Sequence, residues 1–236
     1  MKKLHRFLAL MLVGFSLSVR PAFAQNDDVY DPIEPFNRGV FFFNEVVNNL
    51  VMTPLATGYR AVTPKTARGL LQNAANNTIE PVAMVNALLQ GNFEQGVVSF
   101  WRFVINSTVG LAGLNDVAKT AGLQRRYEDF GQTLGVWGMG DGAYLVLPII
   151  GPSNTRDIWR WPAGYYLDPV TTFSDNSVVV WSYIGALGLI EYNSLMDPMA
   201  DIRASSLDPY VSIRSIYTQR RAAAIRNQYD DIEGGK

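Results

Sequence analysis

The side chains with the widest chemical range, histidine and cysteine, are nearly absent from this chain, which has one histidine, His5, and no cysteine. Thiol catalysis, serine–histidine catalysis and the common zinc sites are excluded once the N-terminal segment with His5 is set aside. Carboxylate chemistry remains, as in glycoside hydrolysis or in magnesium and calcium sites. Glu128, Asp129 and Asp141 are the candidates, but no motif pairs them. A carboxylate hydrolase of envelope glycans is therefore the weaker alternative, and we expect a protein that is not an enzyme and that needs no metal or other cofactor.

The first 24 residues have the pattern of a secretory signal peptide. Three basic residues precede an apolar run over residues 7–19, and Ala22-Phe23-Ala24 is a small-residue cleavage site. We expect the mature protein to be one helical domain over residues 25–229, followed by an acidic flexible tail over residues 230–236. The mature chain has more acidic than basic residues, which argues against a nucleic-acid partner.

The elements that must position any functional side chain are predicted to be helices. Several segments begin with Asp-Pro, because the Asp oxygen accepts from an unpaired N–H of the first turn and Pro has none to leave unpaired. The predicted caps of this kind are Asp31, Asp168, Asp197 and Asp208. The predicted helices span residues 35–51, 64–73, 79–90, 92–108, 113–119, 176–192 and 209–228, and a Gly/Pro-rich loop region spans 131–168.

One predicted helix, over residues 97–109, has a narrow polar stripe on an apolar circumference. Ser99, Arg102 and Asn106 are three and four residues apart, so they share one helical face. A surface helix of a soluble protein has the reverse proportion, with an apolar stripe and a broad polar face. The pattern fits either a buried core helix or a helix with its back to lipid and its stripe toward an aqueous lumen.

A second predicted helix, over residues 36–51, repeats this pattern with Asn44, Glu45 and Asn48 on one side and three consecutive Phe elsewhere. A third segment, residues 178–190, has no charge. Charged residues make up 17% of the chain, against about 25% in an average soluble protein. No stretch reaches about 18 continuous apolar residues, so no transmembrane helix is predicted. Together these features favour partial immersion in a membrane.

An ordered set of short motifs covers nearly all of the mature chain. In order, the motifs are Asp31-Pro32-Ile33-Glu34-Pro35-Phe36-Asn37-Arg38, Phe43-Asn44, Glu80-Pro81-Val82-Ala83-Met84-Val85-Asn86, Leu89-Gln90-Gly91, Arg102-Phe103, Asn106-Ser107-Thr108, Gly131-Gln132-Thr133-Leu134-Gly135, Leu147-Pro148, Gly151-Pro152, Arg156-Asp157 and Asp208-Pro209-Tyr210. By these motifs the chain resembles the MlaA (VacJ) family of Gram-negative outer-membrane lipid-asymmetry proteins.

The resemblance implies an all-α protein, a ring-shaped assembly of amphipathic helices around a central polar channel, in the periplasmic leaflet of the outer membrane. It implies removal of mislocalised phospholipids from the outer leaflet, transfer to a soluble periplasmic lipid carrier, and association with a porin trimer. We expect five side chains of the two polar stripes to line the lipid path: Asn44, Glu45, Asn48, Arg102 and Asn106.

One feature departs from the family, whose members are usually lipidated on a Cys directly after the signal. Here Ala24 is followed by Gln25. We therefore expect a protein that is not lipidated and that stays at the membrane through immersed helices or a porin. The missing Cys also supports an alternative function, that of a soluble periplasmic lipid-binding carrier.

The helix predicted after Asp208 is rich in arginine, with Arg214, Arg220, Arg221 and Arg226. These side chains fit either a solvated helix face or a surface that docks to a porin or to anionic headgroups.

Overall fold

The structure, a computed structural model, describes residues 29–227, which are mostly helical with one small β-hairpin. The predicted signal peptide and the tail over 230–236 lie outside the described residues. The first elements are α1 (Glu34–Val47), a π-helical turn (Asn48–Met52), α2 (Thr53–Val62), α3 (Lys65–Leu89), α4 (Phe93–Thr108) and α5 (Val117–Thr120). After them come α6 (Phe130–Val136), β1 (Tyr144–Leu147), β2 (Gly151–Asn154), a 3-10 turn (Asp157–Trp159), α7 (Arg160–Leu167), α8 (Pro169–Phe173), α9 (Ser177–Ser205) and α10 (Pro209–Ile225). The predicted helical fold class is confirmed, and the ring arrangement stays a prediction.

Two of the predicted Asp caps are confirmed. The Asp168 side chain accepts from the backbone N–H of Val170 at 2.8 Å, at the start of α8. The Asp208 side chain accepts from the N–H of Val211 at 3.3 Å, at the start of α10. In both cases Pro occupies the first helical position, as the Asp-Pro pattern predicts.

The other two predicted caps are wrong, because these carboxylates bind arginines of distant elements. Pro198 lies inside α9, and Asp197 pairs with Arg60 of α2 at 2.7 Å. Asp31 precedes the first turn of α1 without capping it, and instead pairs with Arg214 of α10 at 2.8 Å. The local Asp-Pro signal contains no information about such partners.

The helices α3 and α4 pack against each other and are joined by a short turn that contains Gly91 at a φ of 77°. Two helices were predicted over residues 64–73 and 79–90, but α3 is continuous and accommodates Pro81. A Cβ on Gly96 of α4 would lie 2.7 Å from the Leu88 side chain, which would then have to shift. The pair holds Glu80, Arg102 and Asn106, three buried polar side chains of the first cluster described below.

A β-hairpin and the helix α6 lie inside the region predicted as loop. The two strands are antiparallel and four residues long, with Leu147 opposite Gly151. Strands this short give no alternation long enough to recognise, and Pro148 and Pro152 weaken the strand signal further. Three glycines near or within α6 obscured that helix in the same way.

Two asparagines of α1 hold the hairpin in place. The Asn37 amide donates to the carbonyl of Tyr144 at 3.0 Å and accepts from the N–H of Val146 at 2.9 Å. Asn44, two turns later, donates to the carbonyl of Leu147 at 2.9 Å and accepts from the N–H of Ile149 at 2.7 Å. One face of α1 thus supplies hydrogen bonds that a neighbouring strand would otherwise provide to β1.

The distribution of polarity in the described residues is the inverse of that in a soluble globule. The largest fully buried side chains are all polar, namely Arg102, Gln132, Glu80, Glu128, Asn37, Asn86, Thr133, Asp157, Ser99 and Ser153. The exposed surface has many large apolar side chains, among them Phe36, Phe42, Leu50, Val62, Phe93, Val178 and Trp181. Large exposed apolar areas of this kind mark contact with a membrane or with another protein.

The helix α9 is long and largely exposed. It runs for 29 residues, and by length and composition alone it could cross a membrane, with 6% of its most apolar window buried. Its apolar stretch of residues 178–190 would be about 20 Å long at 1.5 Å per residue, shorter than a hydrocarbon core of about 30 Å. The sequence prediction considered this stretch alone, whereas the helix continues into a charged second half.

Candidate functional site

The first buried polar cluster joins α3, α4 and α5 through Arg102. Its Nε donates to Glu80 Oε1 at 2.7 Å, and its NH2 group donates to both oxygens of Asp116 at 3.0 Å. Asn106, one turn later on α4, also donates to Asp116 at 3.0 Å and accepts from the N–H of Ala118 at 2.9 Å. The Arg102 guanidinium and the Asn106 amide are therefore each held by specific partners.

The pKa values of the two carboxylates in this cluster are shifted in opposite directions. Burial raises the pKa of Glu80 above its ordinary value, and the hydrogen bond from Arg102 opposes that rise. Burial also acts to raise the pKa of Asp116, but hydrogen bonds from Arg102 and Asn106 outweigh it and the pKa is lowered. The negative charge of Glu80 is therefore less well stabilised by its hydrogen-bond partners than that of Asp116.

The second buried cluster joins α10 to the start of α6 and to the 3-10 turn through Arg221. Its guanidinium donates to Asp129 at 2.7 and 3.0 Å and to Asp157 at 2.7 and 3.0 Å. Arg156 also pairs with Asp157, at 2.9 Å. A Cβ on Gly131 would lie 2.6 Å from Asp157 and 2.7 Å from Arg221, which explains why the Gly131-Gln132-Thr133 motif needs glycine here.

This cluster holds its carboxylates in the charged form. Burial acts to raise the pKa of Asp157, but the Arg221 and Arg156 guanidinium groups outweigh it and lower the pKa to about 2. The pKa of Asp129 is also lowered, with Arg221 outweighing burial. Arg221 was expected on a solvated or docking face of its helix. It is buried instead, so that expectation is wrong for this residue.

Two of the three carboxylates considered for hydrolysis are engaged in ion pairs, and the third, Glu128, accepts from the Gln90 amide at 3.1 Å. Asp129 is held by Arg221, and Asp141 pairs with Arg156. A general acid needs a pKa near the working pH, whereas the pKa of Asp129 is lowered. Residues 29–227 also contain no group of three or more His, Asp or Glu side chains that could hold a metal ion.

The structure places the five predicted path residues in two separate regions. Arg102 and Asn106 lie together on Asp116, and both are buried. Asn44 lies at the hairpin and is buried as well. Glu45 is half-buried and pairs with Arg203 of α9 at 2.7 Å, and Asn48 is half-buried in the π-helical turn. Whether these side chains line a common path stays a prediction.

The main partners of these residues were missed by sequence reasoning. Glu80 and Asp116 lie 22 and 14 residues from Arg102, and Arg221 lies 92 residues from Asp129. A buried ion pair between distant segments leaves no periodic signal. The one available hint was that Glu80, Arg102 and Asp157 all fall within the ordered motifs.

Matches to known proteins cover most of the chain. A family model described as "MlaA lipoprotein" matches residues 29–224. The chain is 38% identical over 223 residues to the intermembrane phospholipid transport system lipoprotein MlaA of Escherichia coli, covering 90% of this chain and 86% of that protein. It is 32% identical over 204 residues to the protein of the same name from Haemophilus influenzae, covering 80% and 76%.

Two further matches extend this set. An uncharacterised protein of Rickettsia prowazekii is 39% identical over 201 residues, covering 84% of this chain and 79% of that protein. A solved structure from work on the structural basis for maintenance of bacterial outer membrane lipid asymmetry matches with a TM-score of 0.71 and 33% identity. That match covers 83% of this chain and 98% of the solved chain.

These names overturn the expectation of a protein that is not lipidated. The family model is described as a lipoprotein, and the relatives from Escherichia coli and Haemophilus influenzae are both named lipoproteins. The expectation rested only on the absence of Cys from the sequence. The expectation is contradicted by these names and is wrong for a member of this family.

Proposed function

We propose that this chain, which belongs to the MlaA lipoprotein family, takes part in intermembrane phospholipid transport and helps to maintain the lipid asymmetry of the outer membrane. In finer terms, it lies in the periplasmic leaflet of the outer membrane and removes phospholipids that have reached the outer leaflet. It passes them to a soluble periplasmic lipid carrier and has a porin trimer as its neighbour in the membrane. It does this without chemical change to the lipid.

The observation that supports this proposal is the inverted polarity of the fold. Buried polar clusters around Arg102 and Arg221 lie inside, and large apolar side chains such as Phe42 and Trp181 lie outside. A phospholipid has the same two requirements, because its acyl chains favour an apolar surface and its charged headgroup costs several kcal/mol to bury in hydrocarbon. A protein with apolar outer walls and a polar interior lowers that cost for the headgroup while it remains in the leaflet.

Within this proposal the predicted path residues have two roles. Glu45 and Asn48 are half-buried and face the headgroup path. Arg102, Asn106 and Asn44 are buried and support its wall through the hydrogen bonds that fix α4, α5 and the hairpin. The channel is thus lined by residues held in place by a second set of buried polar side chains.

The alternative, a soluble periplasmic carrier, requires the apolar surface to face inward around the acyl chains. Here the large apolar side chains of α1 and α9 face outward. Fractionation separates the two functions, since recovery in the soluble periplasmic fraction without detergent would favour the carrier.

The proposed function is tested by deletion of the gene in the source bacterium and measurement of phosphatidylethanolamine on the cell surface with a membrane-impermeant amine reagent. The proposal predicts more surface labelling in the deletion strain and restoration by the wild-type gene. Unchanged labelling in the deletion strain would overturn it.

A matched pair of variants tests the role of the apolar surface in the same strain. Trp181→Glu places a charge on the exposed face of α9, and Arg220→Glu places one on an exposed position of α10. The proposal predicts that Trp181→Glu restores asymmetry poorly and that Arg220→Glu restores it fully. Equal restoration by both variants would count against an immersed α9.

A further inference from the structure

The stretch between α5 and α6, residues 123–129, contains neither helix nor strand. Its side chains Arg125 and Tyr127 lie within electrostatic range of charged groups from five surrounding helices. These groups are Glu80 of α3, Arg102 of α4, Arg160 of α7, Glu191 of α9 and Arg221 of α10. The stretch is therefore surrounded by helices on several sides.

Both side chains are nevertheless accessible to solvent. The Arg125 side chain is 27% exposed, and Tyr127 is 41% exposed. At the same time burial lowers the pKa of Arg125 and raises the pKa of Tyr127, as expected for groups with protein on most sides. We refer to the accessible space beside these two side chains as the internal opening.

Arg125 is held less tightly by other side chains than Arg102 is. Its Nε lies 3.6 Å from Glu80 Oε1, beyond hydrogen-bond distance, whereas Arg102 Nε lies 2.7 Å from the same oxygen. Glu80 Oε2 is buried and has no hydrogen-bond partner in the described part of the chain. The guanidinium instead lies 6.0 Å from the centre of the Tyr127 ring.

Arg160 is a second guanidinium of this kind. It lies over the Trp161 ring at 4.4 Å, and its Nε is buried with no hydrogen-bond partner among the described residues. By contrast, Arg102 and Arg221 each donate to two carboxylates. Buried donors are almost always paired in working proteins. The fold therefore leaves Arg160 Nε and the loosely paired Arg125 guanidinium available to a ligand.

We propose that Arg125, together with Arg160, binds the phosphate of a phospholipid in the internal opening beside Tyr127. A planar guanidinium donates two parallel hydrogen bonds to the oxygens of a phosphate, which makes arginine well suited to this group. The identification of the phosphate as that of a lipid rests on the proposed function. The site would hold the headgroup while the acyl chains remain at the apolar surface.

The test uses the full chain purified in detergent and two lipid probes with the same acyl chains, phosphatidylethanolamine and diacylglycerol, which lacks phosphate. Lipid retained per protein is measured by mass spectrometry. The wild type should retain phosphatidylethanolamine in preference to diacylglycerol. Arg125→Gln should reduce retention of phosphatidylethanolamine by about tenfold or more and leave retention of diacylglycerol unchanged, because only the charged hydrogen bonds are removed.

Three further samples complete the test. Arg160→Gln should reduce phosphatidylethanolamine retention, and Arg125→Lys should keep part of it, because charge remains but the planar fork is lost. Arg220→Gln, the same substitution at an exposed position of α10, should match the wild type. Circular dichroism and thermal unfolding should show that all variants are folded. If Arg125→Gln does not fold, the Arg125→Lys and Arg160→Gln results decide.

Unchanged retention of phosphatidylethanolamine in Arg125→Gln, or an equal loss of both lipids, would overturn the site. Displacement of the lipid by millimolar inorganic phosphate would show that the site takes the free anion and would overturn the lipid assignment. A normal surface phospholipid level in the deletion strain would instead overturn the proposed function. Full restoration of asymmetry by Arg125→Gln, together with unchanged lipid retention, removes only this inference.

Discussion

Arg102 Nε lies 2.7 Å from Glu80 Oε1, and both side chains are at most 2% exposed although they belong to different helices. A pair this deeply buried gains little net stability relative to an apolar pair, because two charges have been taken from water. Loss of one partner strongly destabilises the fold, because the other side chain is then left charged and buried. The pair therefore fixes how α3 and α4 dock more than it increases overall stability.

Arg102→Leu should lower the free energy of unfolding by about 3–5 kcal/mol, because it leaves Glu80 and Asp116 without their cation. Thermal unfolding in detergent, followed by circular dichroism, measures the change. Arg220→Leu is the control, because Arg220 is exposed on α10. The double variant Glu80→Gln, Arg102→Leu should regain part of the loss. Equal stability of the wild type and Arg102→Leu would show that the pair is dispensable.

Asn37→Ala should destabilise the fold by about 1–3 kcal/mol, because the carbonyl of Tyr144 and the N–H of Val146 lose their buried partner. Asn49→Ala, at an exposed position of the π-helical turn, is the control and should change stability little. Hydrogen exchange of the Val146 amide measures the local effect. If exchange at Val146 is not faster in Asn37→Ala than in Asn49→Ala, α1 does not hold the hairpin.

The stability of the protein should depend on pH through Asp157. Its pKa of about 2 in the folded protein lies below the ordinary value of 3.8. The unfolded chain therefore binds the proton first as pH falls, so the stabilisation is complete above pH 4 and is lost as pH falls through 2. The loss is about 2 kcal/mol on the basis of 1.4 kcal/mol per pH unit.

Asp157→Asn should be less stable at neutral pH and should lose less stability between pH 4 and pH 2 than the wild type. Asp175→Asn, at an exposed position before α9, should keep the wild-type profile. Unfolding midpoints measured across this range test the assignment. Parallel profiles for the wild type and Asp157→Asn would exclude Asp157 as the titrating group.

The sequence predicted which polar side chains of α4 share one face, but it could not predict what that face contacts. Ser99, Arg102 and Asn106 do share one face, and all three are buried. Their spacing carries this information because a helix repeats every 3.6 residues. The partner carboxylates come from other segments, so spacing alone could not separate a buried ion pair from a channel wall.

The region over residues 131–168 was the least predictable part of the fold. Its hairpin depends on hydrogen bonds from Asn37 and Asn44, about 100 residues earlier in the chain. Its buried carboxylate Asp157 pairs with Arg221 from the last helix. Local propensity cannot report such distant partners, and tertiary contacts override it here.

Trp181 should report directly on immersion in lipid. It is 69% exposed on the apolar half of α9, whereas Trp159 is partly buried against the cluster of Phe130, Leu134 and Ala163. In vesicles of phospholipid with brominated acyl chains, bromine quenches tryptophans that contact the hydrocarbon. The wild type has five tryptophans, so single Trp→Phe variants resolve their contributions.

Trp181→Phe should remove a large part of the quenchable fluorescence, and Trp159→Phe should remove little, because only the first side chain faces outward. Both substitutions keep an apolar aromatic ring, so the fold and its membrane attachment should be preserved. The comparison therefore separates contact with acyl chains from attachment by a lipid anchor, which would hold the protein at the surface without immersing α9. Equal quenching losses for the two variants would mean that α9 lies outside the hydrocarbon, and the membrane-embedded function would then lose its main structural support.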